Sequence, residues 1–113
     1  MSLRSDAAEQ VYREWGNVLF QSKWLGQAAV KNPLDAWIYQ EIIFENKPDI
    51  IIETGTYMGG GTLFLASMLD LVGKGIVLTI ENNDSLRERW PQHPRIKYFV
   101  GSSIDWNIFQ EIE

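Results

Sequence analysis

A short β-branched run that leads into a glycine-rich turn constrains the fold of this chain more than any other feature. The run Asp49-Ile50-Ile51-Ile52-Glu53 is apolar on both faces, as a parallel strand buried between layers of helices should be. The turn from Thr54 to Gly61 contains four glycines. A helix that is apolar nearly all round follows from Thr62 to Val72, and Gly73 ends it. This pattern predicts the first part of a β-α-β unit.

Two further strands continue the alternation. Gly75 to Glu81 is a second buried strand, and Ile96 to Val100 is a third. A short helix from Asp84 to about Trp90 is expected between them. Strands that alternate with helices form a parallel sheet through right-handed crossovers. We therefore predict an α/β, Rossmann-like fold of about three strands in residues 47–113, with helices on both faces and a last helical turn that Asp105 caps.

Residues 1–46 precede this core and have the pattern of two helices. Ser5 or Asp6 can cap the first helix, which runs to about Gln21. Residues 26–31 are a connector. Asn32-Pro33 begins the second helix, with Asn32 as the N-cap and Pro33 in the first turn, and Asn46-Lys47-Pro48 ends it. The whole chain, 1–113, is expected to be a single domain.

Composition argues against several classes of function. The chain has 10 basic and 15 acidic side chains and a net charge of −5, so it offers no basic patch for the phosphates of a nucleic acid. It has no cysteine, which excludes disulfides, thiolate zinc sites and cysteine nucleophiles. No apolar run approaches the roughly 20 residues of a membrane helix. We expect a soluble, cytoplasmic protein with neither nucleic acid nor membrane as partner.

The ends of the first two predicted strands carry the chemistry. Open parallel sheets bind ligands beyond the carboxyl ends of their strands, glycines permit close approach, and a helix start offers N–H groups to an anion. The dinucleotide pattern G-x-G-x-x-G fails because Tyr57 stands two residues after Gly55. Glu53 suits a cationic amine, directly or through water, and Glu81 can accept both hydroxyls of a ribose. S-adenosylmethionine, a nucleoside that carries an amino acid, fits both acids.

These residues resemble a known family. Glu53-x-Gly55-x-x-x-Gly59, with Glu81 after the next strand, resembles the first two motifs of class I S-adenosylmethionine-dependent methyltransferases. Residues 31–41, 47–56 and 101–103 resemble, more specifically, the cephalosporin hydroxylase family. The resemblance extends from about residue 24 to residue 105. It implies a methyltransferase fold and the O-methylation of small molecules, including sugars and antibiotics.

The resemblance also implies a cofactor site. In it, Glu53 and Gly55 line the methionine end, the same loop contributes further residues, Glu81 holds the ribose, and the turn after the third strand meets the adenine. Gly61 stands where relatives often have serine, so Thr62 is a candidate substitute donor to the carboxylate of the cofactor. The expected cofactor-binding residues are Glu53, Gly55, Thr56, Tyr57, Gly59, Glu81, Ser102 and Ser103.

A complete domain of this family has seven strands in the order 3-2-1-4-5-7-6, and acids at the end of its fourth strand bind a divalent metal. This chain ends after the third strand. The resemblance therefore implies that the metal site and the catalytic base lie outside it, and we assign no catalytic residue and no metal ligand. A small-molecule substrate and a divalent metal are expectations for full-length relatives.

Without a fourth strand, the run Asp49–Glu53 is an unpaired apolar edge, and such edges attract one another. We expect two chains to pair through it in a homodimer, as a six-stranded sheet ordered 3-2-1-1′-2′-3′. Other interpretations stay open. The glycine loop could be only a tight strand-to-helix turn, the domain could be a non-catalytic dimerisation or scaffold module, and an NAD-linked enzyme is disfavoured by the absent dinucleotide pattern.

Overall fold

Helices and short strands alternate through most of the chain in the computed structural model, which describes residues 3–19, 21–104, 107, 110 and 111. A 3₁₀ turn at Arg87–Arg89 lies between the fourth and fifth strands. The other elements, in chain order, are α1 Leu3–Leu19, β1 Lys23–Trp24, β2 Gln27–Ala28, α2 Pro33–Asn46, β3 Ile50–Thr54, α3 Gly60–Val72, β4 Ile76–Glu81 and β5 Ile96–Val100.

The main sheet has the order β3-β4-β5, and both pairs of neighbouring strands are parallel. Its register aligns Glu53 with Thr79 and Thr79 with Tyr98, so these three residues form one row across the sheet. Among the strands that the structure describes, β3 pairs only with β4. The predicted parallel α/β sheet is thus confirmed, with β3 at its edge.

The hydrophobic core lies between α3 and one face of this sheet. Ala66 and Leu69 of α3 are fully buried against Val77 and Ile96 of the strands, and Ile43 of α2 completes the cluster. Burial of the leucine, valine and isoleucine side chains in this cluster stabilises the domain by roughly 1.5–3 kcal/mol each. The nearly continuous apolar pattern of α3 is explained because this helix packs against both the sheet and α2.

The start and end of α2 follow the sequence. The Asn32 side chain accepts a hydrogen bond from the backbone N–H of Leu34 at 2.9 Å, and Pro33 occupies the first turn. The helix ends at Lys47, which takes a left-handed conformation and donates its backbone N–H to Ile43. Both predicted boundaries are confirmed. In the part of the chain that is described, no helix is long and apolar enough to cross a membrane.

The predicted connector at residues 26–31 contains a strand that the sequence analysis missed. Residues 23–24 and 27–28 form an antiparallel hairpin, whose turn residues Leu25 and Gly26 both have positive φ. The hairpin packs on α3, where the Trp24 ring meets Phe64 edge-on and its Nε1 donates to Ser67 at 3.0 Å. Two-residue strands are too short for any alternation to be read from sequence.

The predicted helix from Asp84 to Trp90 is wrong, since only the three-residue 3₁₀ turn forms there. The backbone is extended at Trp90, the residue before Pro91. The ring of Trp90 is buried and stacks on that of Tyr98, with 4.9 Å between the ring centroids. The residue before a proline is disfavoured in the helical conformation, so the helix cannot continue through Trp90. In addition, α3 begins two residues before the predicted Thr62. The predicted last helical turn lies mostly outside the described residues, and so does Asp105.

Candidate ligand-binding site

A polar cleft of about 280 Å³ lies at the carboxyl ends of β3, β4 and β5. It brings together Gly55, Glu81, Ser102 and Ser103, four of the residues expected to bind a cofactor. Asn82 also lines it and was not among the expected residues, because an asparagine in a turn carries no distinctive signal. The remaining lining residues are Thr54, Ile80 and Gly101.

Glu81 stands at the rim of this cleft, partly exposed. One of its carboxylate oxygens, Oε2, accepts a hydrogen bond from the backbone N–H of Tyr57 at 3.1 Å. Among the described residues, no hydrogen bond to its other oxygen, Oε1, is formed. A carboxylate with one fixed oxygen and one available oxygen can accept hydrogen bonds from ligand hydroxyls without first breaking internal contacts.

Glu53 does not line this cleft: it borders a separate cavity between α2 and β3, and side chains of its own chain bind it. The residue as a whole is only 9% exposed. Oε1 accepts hydrogen bonds from the hydroxyls of Thr62 at 2.5 Å and Thr79 at 2.7 Å, and Oε2 lies 3.7 Å from Nζ of Lys31. The hydroxyl of Thr62 therefore serves Glu53, which corrects the expectation that it donates to a ligand carboxylate.

Thr79 is the centre of this buried network. Since its hydroxyl has one proton and donates it to Glu53, the 2.6 Å contact with Thr56 must be a bond that Thr56 donates. Burial, together with the negative charge of Glu53, raises the pKa of Tyr98 to about 12. Sequence reasoning missed Thr79. Its signal was a single polar residue inside an otherwise apolar strand.

The four glycines of the loop divide into two groups. Gly55 has φ +87°, is exposed, and a Cβ added there would meet nothing. A Cβ at Gly59 would lie 2.5 Å from the ring of Pro91, and one at Gly61 would lie 2.5 Å from Cε of Lys31. A Cβ at Gly60 would likewise collide with backbone atoms of the hairpin segment. Thus only Gly55 offers the close backbone approach that was expected of the whole loop, and the other three permit internal packing.

The loop between Gly55 and Gly59 is held from several directions. Tyr57 has a positive φ of 50°, and its backbone carbonyl accepts from Nε1 of Trp90 at 2.7 Å. Gln27 of the hairpin donates to the carbonyls of both Met58 and Arg89. These bonds fix the loop in place before any ligand arrives, which lowers the entropic cost of binding.

The turn after β5 has a local structural role as well as a place in the cleft. The hydroxyl of Ser102 accepts from the backbone N–H of Ile104 at 3.3 Å, and Gly101 donates its N–H to the carbonyl of Glu81. The side chains of Ser102 and Ser103 are both exposed. In the described residues, no group of three or more His, Cys, Asp or Glu side chains could hold a metal ion.

Parallel strands, an intervening helix and a polar cleft at the carboxyl ends define a Rossmann-like ligand-binding domain. Comparison with known families gives a more specific assignment. The model of the Rhamnosyl O-methyltransferase/CmcI family matches residues 16–113. The chain belongs to that family.

Curated relatives and solved structures agree with this assignment. The chain is 32% identical to the rhamnosyl O-methyltransferase of Mycobacterium tuberculosis and 34% identical to that of Mycobacterium leprae, each over 96% of its length. It covers 46% and 49% of those proteins. It therefore spans about half the length of the curated relatives that it matches.

A CmcI structure described with Mg and SAM has the same fold over 81% of this chain, with a TM-score of 0.70 and 23% identity. A second CmcI structure, described with SAH, matches 72% of the chain with a TM-score of 0.63 and 22% identity. This chain covers 40% and 43% of those two chains. The similarity confirms the Rossmann-like fold that the sequence predicted.

Proposed function

We propose that this chain is the S-adenosylmethionine-binding part of a cephalosporin hydroxylase-like O-methyltransferase that acts on a hydroxyl of a small molecule of the sugar or antibiotic type. The observation that carries the proposal is the polar cleft at the carboxyl ends of three parallel strands, with Glu81 at its rim. Support also comes from relatives that are named rhamnosyl O-methyltransferases and from a CmcI structure described with SAM.

The residues present fit such a cofactor. Gly55 leaves open space above the loop, and the available oxygen of Glu81 suits the two hydroxyls of a ribose. Ser102 and Ser103 offer exposed hydroxyls for the adenine end. The other proposed residues, Glu53, Thr56, Tyr57 and Gly59, act mainly by holding the loop in shape, and Glu53 also supplies the negative charge that a ligand ammonium needs.

The chemistry of the reaction is the cofactor's own, since S-adenosylmethionine, when bound, supplies a methyl group on a sulfonium. The residues of this chain bind and orient that group. We assign them no proton transfer, and we place the catalytic base and any divalent metal in the half of the family's domain that this chain does not span. The single domain 1–113 and its cytoplasmic location stay predictions.

Calorimetric titration with S-adenosylhomocysteine tests the proposal. We expect saturable binding with a Kd in the micromolar range, about −8 kcal/mol. Glu81→Ala should weaken it by roughly tenfold or more, because a hydrogen bond to a charged group contributes about 1.5–3 kcal/mol. Glu88→Ala, an exposed acid in the turn after β4, is the matched control and should bind normally. No heat at millimolar ligand with the fold intact would refute the proposal.

The alternative function is a non-catalytic scaffold module derived from the methyltransferase fold. One observation favours it: Gly59, Gly60, Gly61 and the carboxylate of Glu53 all have contacts within the chain that would persist without a ligand. The same titration separates the two functions, since a scaffold module retains its fold and its assembly but binds no nucleoside.

We further propose that this 113-residue chain, on its own, forms a homodimer through β3, with the strand order β5-β4-β3-β3′-β4′-β5′. The supporting observation is an apolar edge on which Ile50 is 52% and Ile52 is 60% exposed. Exposed apolar side chains of α2, among them Tyr39 and Ile42, adjoin it. Such an unpaired edge attracts a second copy.

Sedimentation equilibrium tests the dimer. We expect a dimer mass for the wild type and a monomer mass for Ile52→Lys, because a charge in the paired edge opposes association. Leu71→Lys, on the exposed side of α3, adds the same charge away from the edge and should stay dimeric. A wild-type monomer mass that does not change with concentration would contradict the proposal.

A further inference from the structure

Lys31 and Glu53 form an ion pair that no hydrogen bond secures. The 3.7 Å between Nζ and Oε2 exceeds hydrogen-bond distance. The Lys31 side chain is 37% exposed, whereas that of Glu53 is 8% exposed. Since Thr62 and Thr79 already bind Oε1, Oε2 is the oxygen that remains for a cation. The buried carboxylate needs a counter-ion, and Lys31 is the one that the described residues supply.

The position of Lys31 depends on a glycine. A Cβ at Gly61 would lie 2.5 Å from Cε of Lys31 and 3.3 Å from its Nζ, so the lysine reaches Glu53 across a residue without a side chain. Lys31 also borders three cavities, one between the hairpin and α2, one beside α1, and one between α2 and β3. Its tip therefore has open space into which it can move.

We propose that Lys31 is an exchangeable internal counter-ion, and that the ammonium of an amino-acid-bearing nucleoside binds Oε2 of Glu53 in its place. The inference rests on the proposed function and deepens it. Two ammonium groups beside one carboxylate oxygen repel each other, so the ligand's amine and Nζ compete. Each carries one positive charge, so the exchange leaves the net charge beside Glu53 unchanged. Lys31 thereby sets how strongly the site binds ligands that carry an amine.

Two nucleosides separate this exchange from ligand binding in general. S-adenosylhomocysteine carries the amino-acid group, and methylthioadenosine has the same nucleoside without it. In Lys31→Met the competitor is gone, and we expect S-adenosylhomocysteine to bind roughly fivefold more tightly, the size of effect typical of a partly exposed ion pair. The affinity for methylthioadenosine should not change.

The control is Lys74→Met, which removes an ion pair with Asp49 (3.0 Å) near the amino end of β3. We expect it to alter neither affinity. A second variant, Gly61→Ala, keeps the lysine and covers the case in which Lys31→Met disturbs the fold. Its Cβ would displace the tip of Lys31 from Glu53, so S-adenosylhomocysteine should again bind more tightly while methylthioadenosine binds as in the wild type.

Each other outcome overturns a specific statement. Weaker binding of S-adenosylhomocysteine in Lys31→Met would mean that Lys31 anchors the ligand, and an unchanged affinity in both variants would mean that no exchange occurs. Either result overturns the inference and leaves the proposed function intact, because methylthioadenosine still binds. If neither nucleoside binds the wild type, the proposed function fails and the inference fails with it.

Discussion

Glu53 and Glu81 are the same kind of residue at the ends of neighbouring parallel strands, yet the structure gives them different surroundings. Glu53 aligns with Thr79, and Glu81 lies two residues, or about 6.6 Å, further along β4. That single pleat repeat separates a carboxylate buried under the first turn of α3 from one at the rim of the cleft. Register within the sheet, rather than residue type, thus decides which acid is buried among side chains of its own chain and which one stands partly exposed at the cleft.

The largest expected effect is on the free energy of unfolding. Glu53→Ala leaves two buried hydroxyls and Lys31 without their partner, and we expect it to lower the stability by about 3 kcal/mol. Glu81→Ala loses one bond at a partly exposed site, and we expect a loss of about 0.5 kcal/mol. Urea unfolding of both variants measures the difference. Equal losses would show that the two acids do not differ as described.

This difference also decides how the proposed cofactor site should be tested. An alanine at position 53 alters the fold and the ligand contacts together, so a loss of binding would have two causes. Glu81 is the cleaner position, because its removal should reduce affinity with little change in stability.

The second comparison sets Gly59 against Gly55, which have nearly the same φ, +86° and +87°. An alanine at either position has a strained backbone that costs about 1 kcal/mol. At Gly59 the added Cβ also meets Pro91 at 2.5 Å, and we expect a further cost of about 2 kcal/mol from overpacking. In thermal or urea unfolding, Gly59→Ala should be clearly less stable than Gly55→Ala. If Gly55→Ala were the less stable variant, the close packing that we assign to Gly59 would be contradicted.

Tyr98 reports on the charge of Glu53. Its pKa is raised to about 12 by burial first and by the charge of Glu53 second, so Glu53→Gln should lower it toward the ordinary value of 10.0. Glu81→Gln should leave it unchanged. Titration of tyrosinate absorbance measures this, since the other three tyrosines, at 12, 39 and 57, are exposed. A Tyr98 pKa that stays the same in Glu53→Gln would contradict the coupling.

The same shift gives a prediction for stability at alkaline pH. The folded-state pKa of Tyr98 lies above the unfolded value, so the tyrosine contributes its full stabilisation below pH 10. That contribution should be lost as the pH rises from 10 toward 12. Because Tyr98 is only partly buried, solvent screening reduces the effect, and we expect a loss of about 1 kcal/mol. Tyr98→Phe should remove this part of the pH dependence.

Much of the fold was predictable because long apolar runs and chain-reversal residues encode it. The three main strands, the caps of α2 and the end of α3 at Gly73 all follow from local pattern. The β1–β2 hairpin was not predictable, since two-residue strands have no periodicity and the turn at Leu25-Gly26 lacks a typical hairpin pair. Its position depends on Trp24 and Gln27, whose partners lie far away in sequence.

The candidate site was predictable as a location but not in its internal organisation. Strand ends, a glycine loop and acids on neighbouring strands suffice to indicate a cleft. The partners of Glu53 could not be read in the same way, because Lys31 and Thr79 lie more than twenty residues from it in sequence, on opposite sides. Which glycines face a ligand and which face Pro91 or Lys31 is likewise a property of the packed chain.

The smallest expected effect lies away from the cleft, where Asp70 of α3 bonds with Nε of Arg95 at 2.6 Å and with Nε2 of His93 at 2.9 Å. The hydrogen bond from Arg95 is the largest cause that holds the pKa of Asp70 below its ordinary value of 3.8, with His93 acting in the same direction against the opposing effect of burial. A carboxyl group whose pKa is lower in the folded state than in the unfolded state stabilises the protein at pH values above its unfolded-state pKa. The benefit is lost as the pH falls through the folded-state pKa.

Asp70→Asn tests whether the charge of Asp70 contributes to stability in this way. Since Asp70 is half exposed, we expect the substitution to cost only about 0.5 kcal/mol near pH 6. The stability difference from the wild type should shrink as the pH falls below 4, where the wild-type carboxylate also takes up its proton. Urea unfolding at both pH values provides the measurement, and the pH series is its own control. A difference that persists at low pH would mean that Asp70 acts through packing rather than through charge, in contrast to the role argued for Glu53.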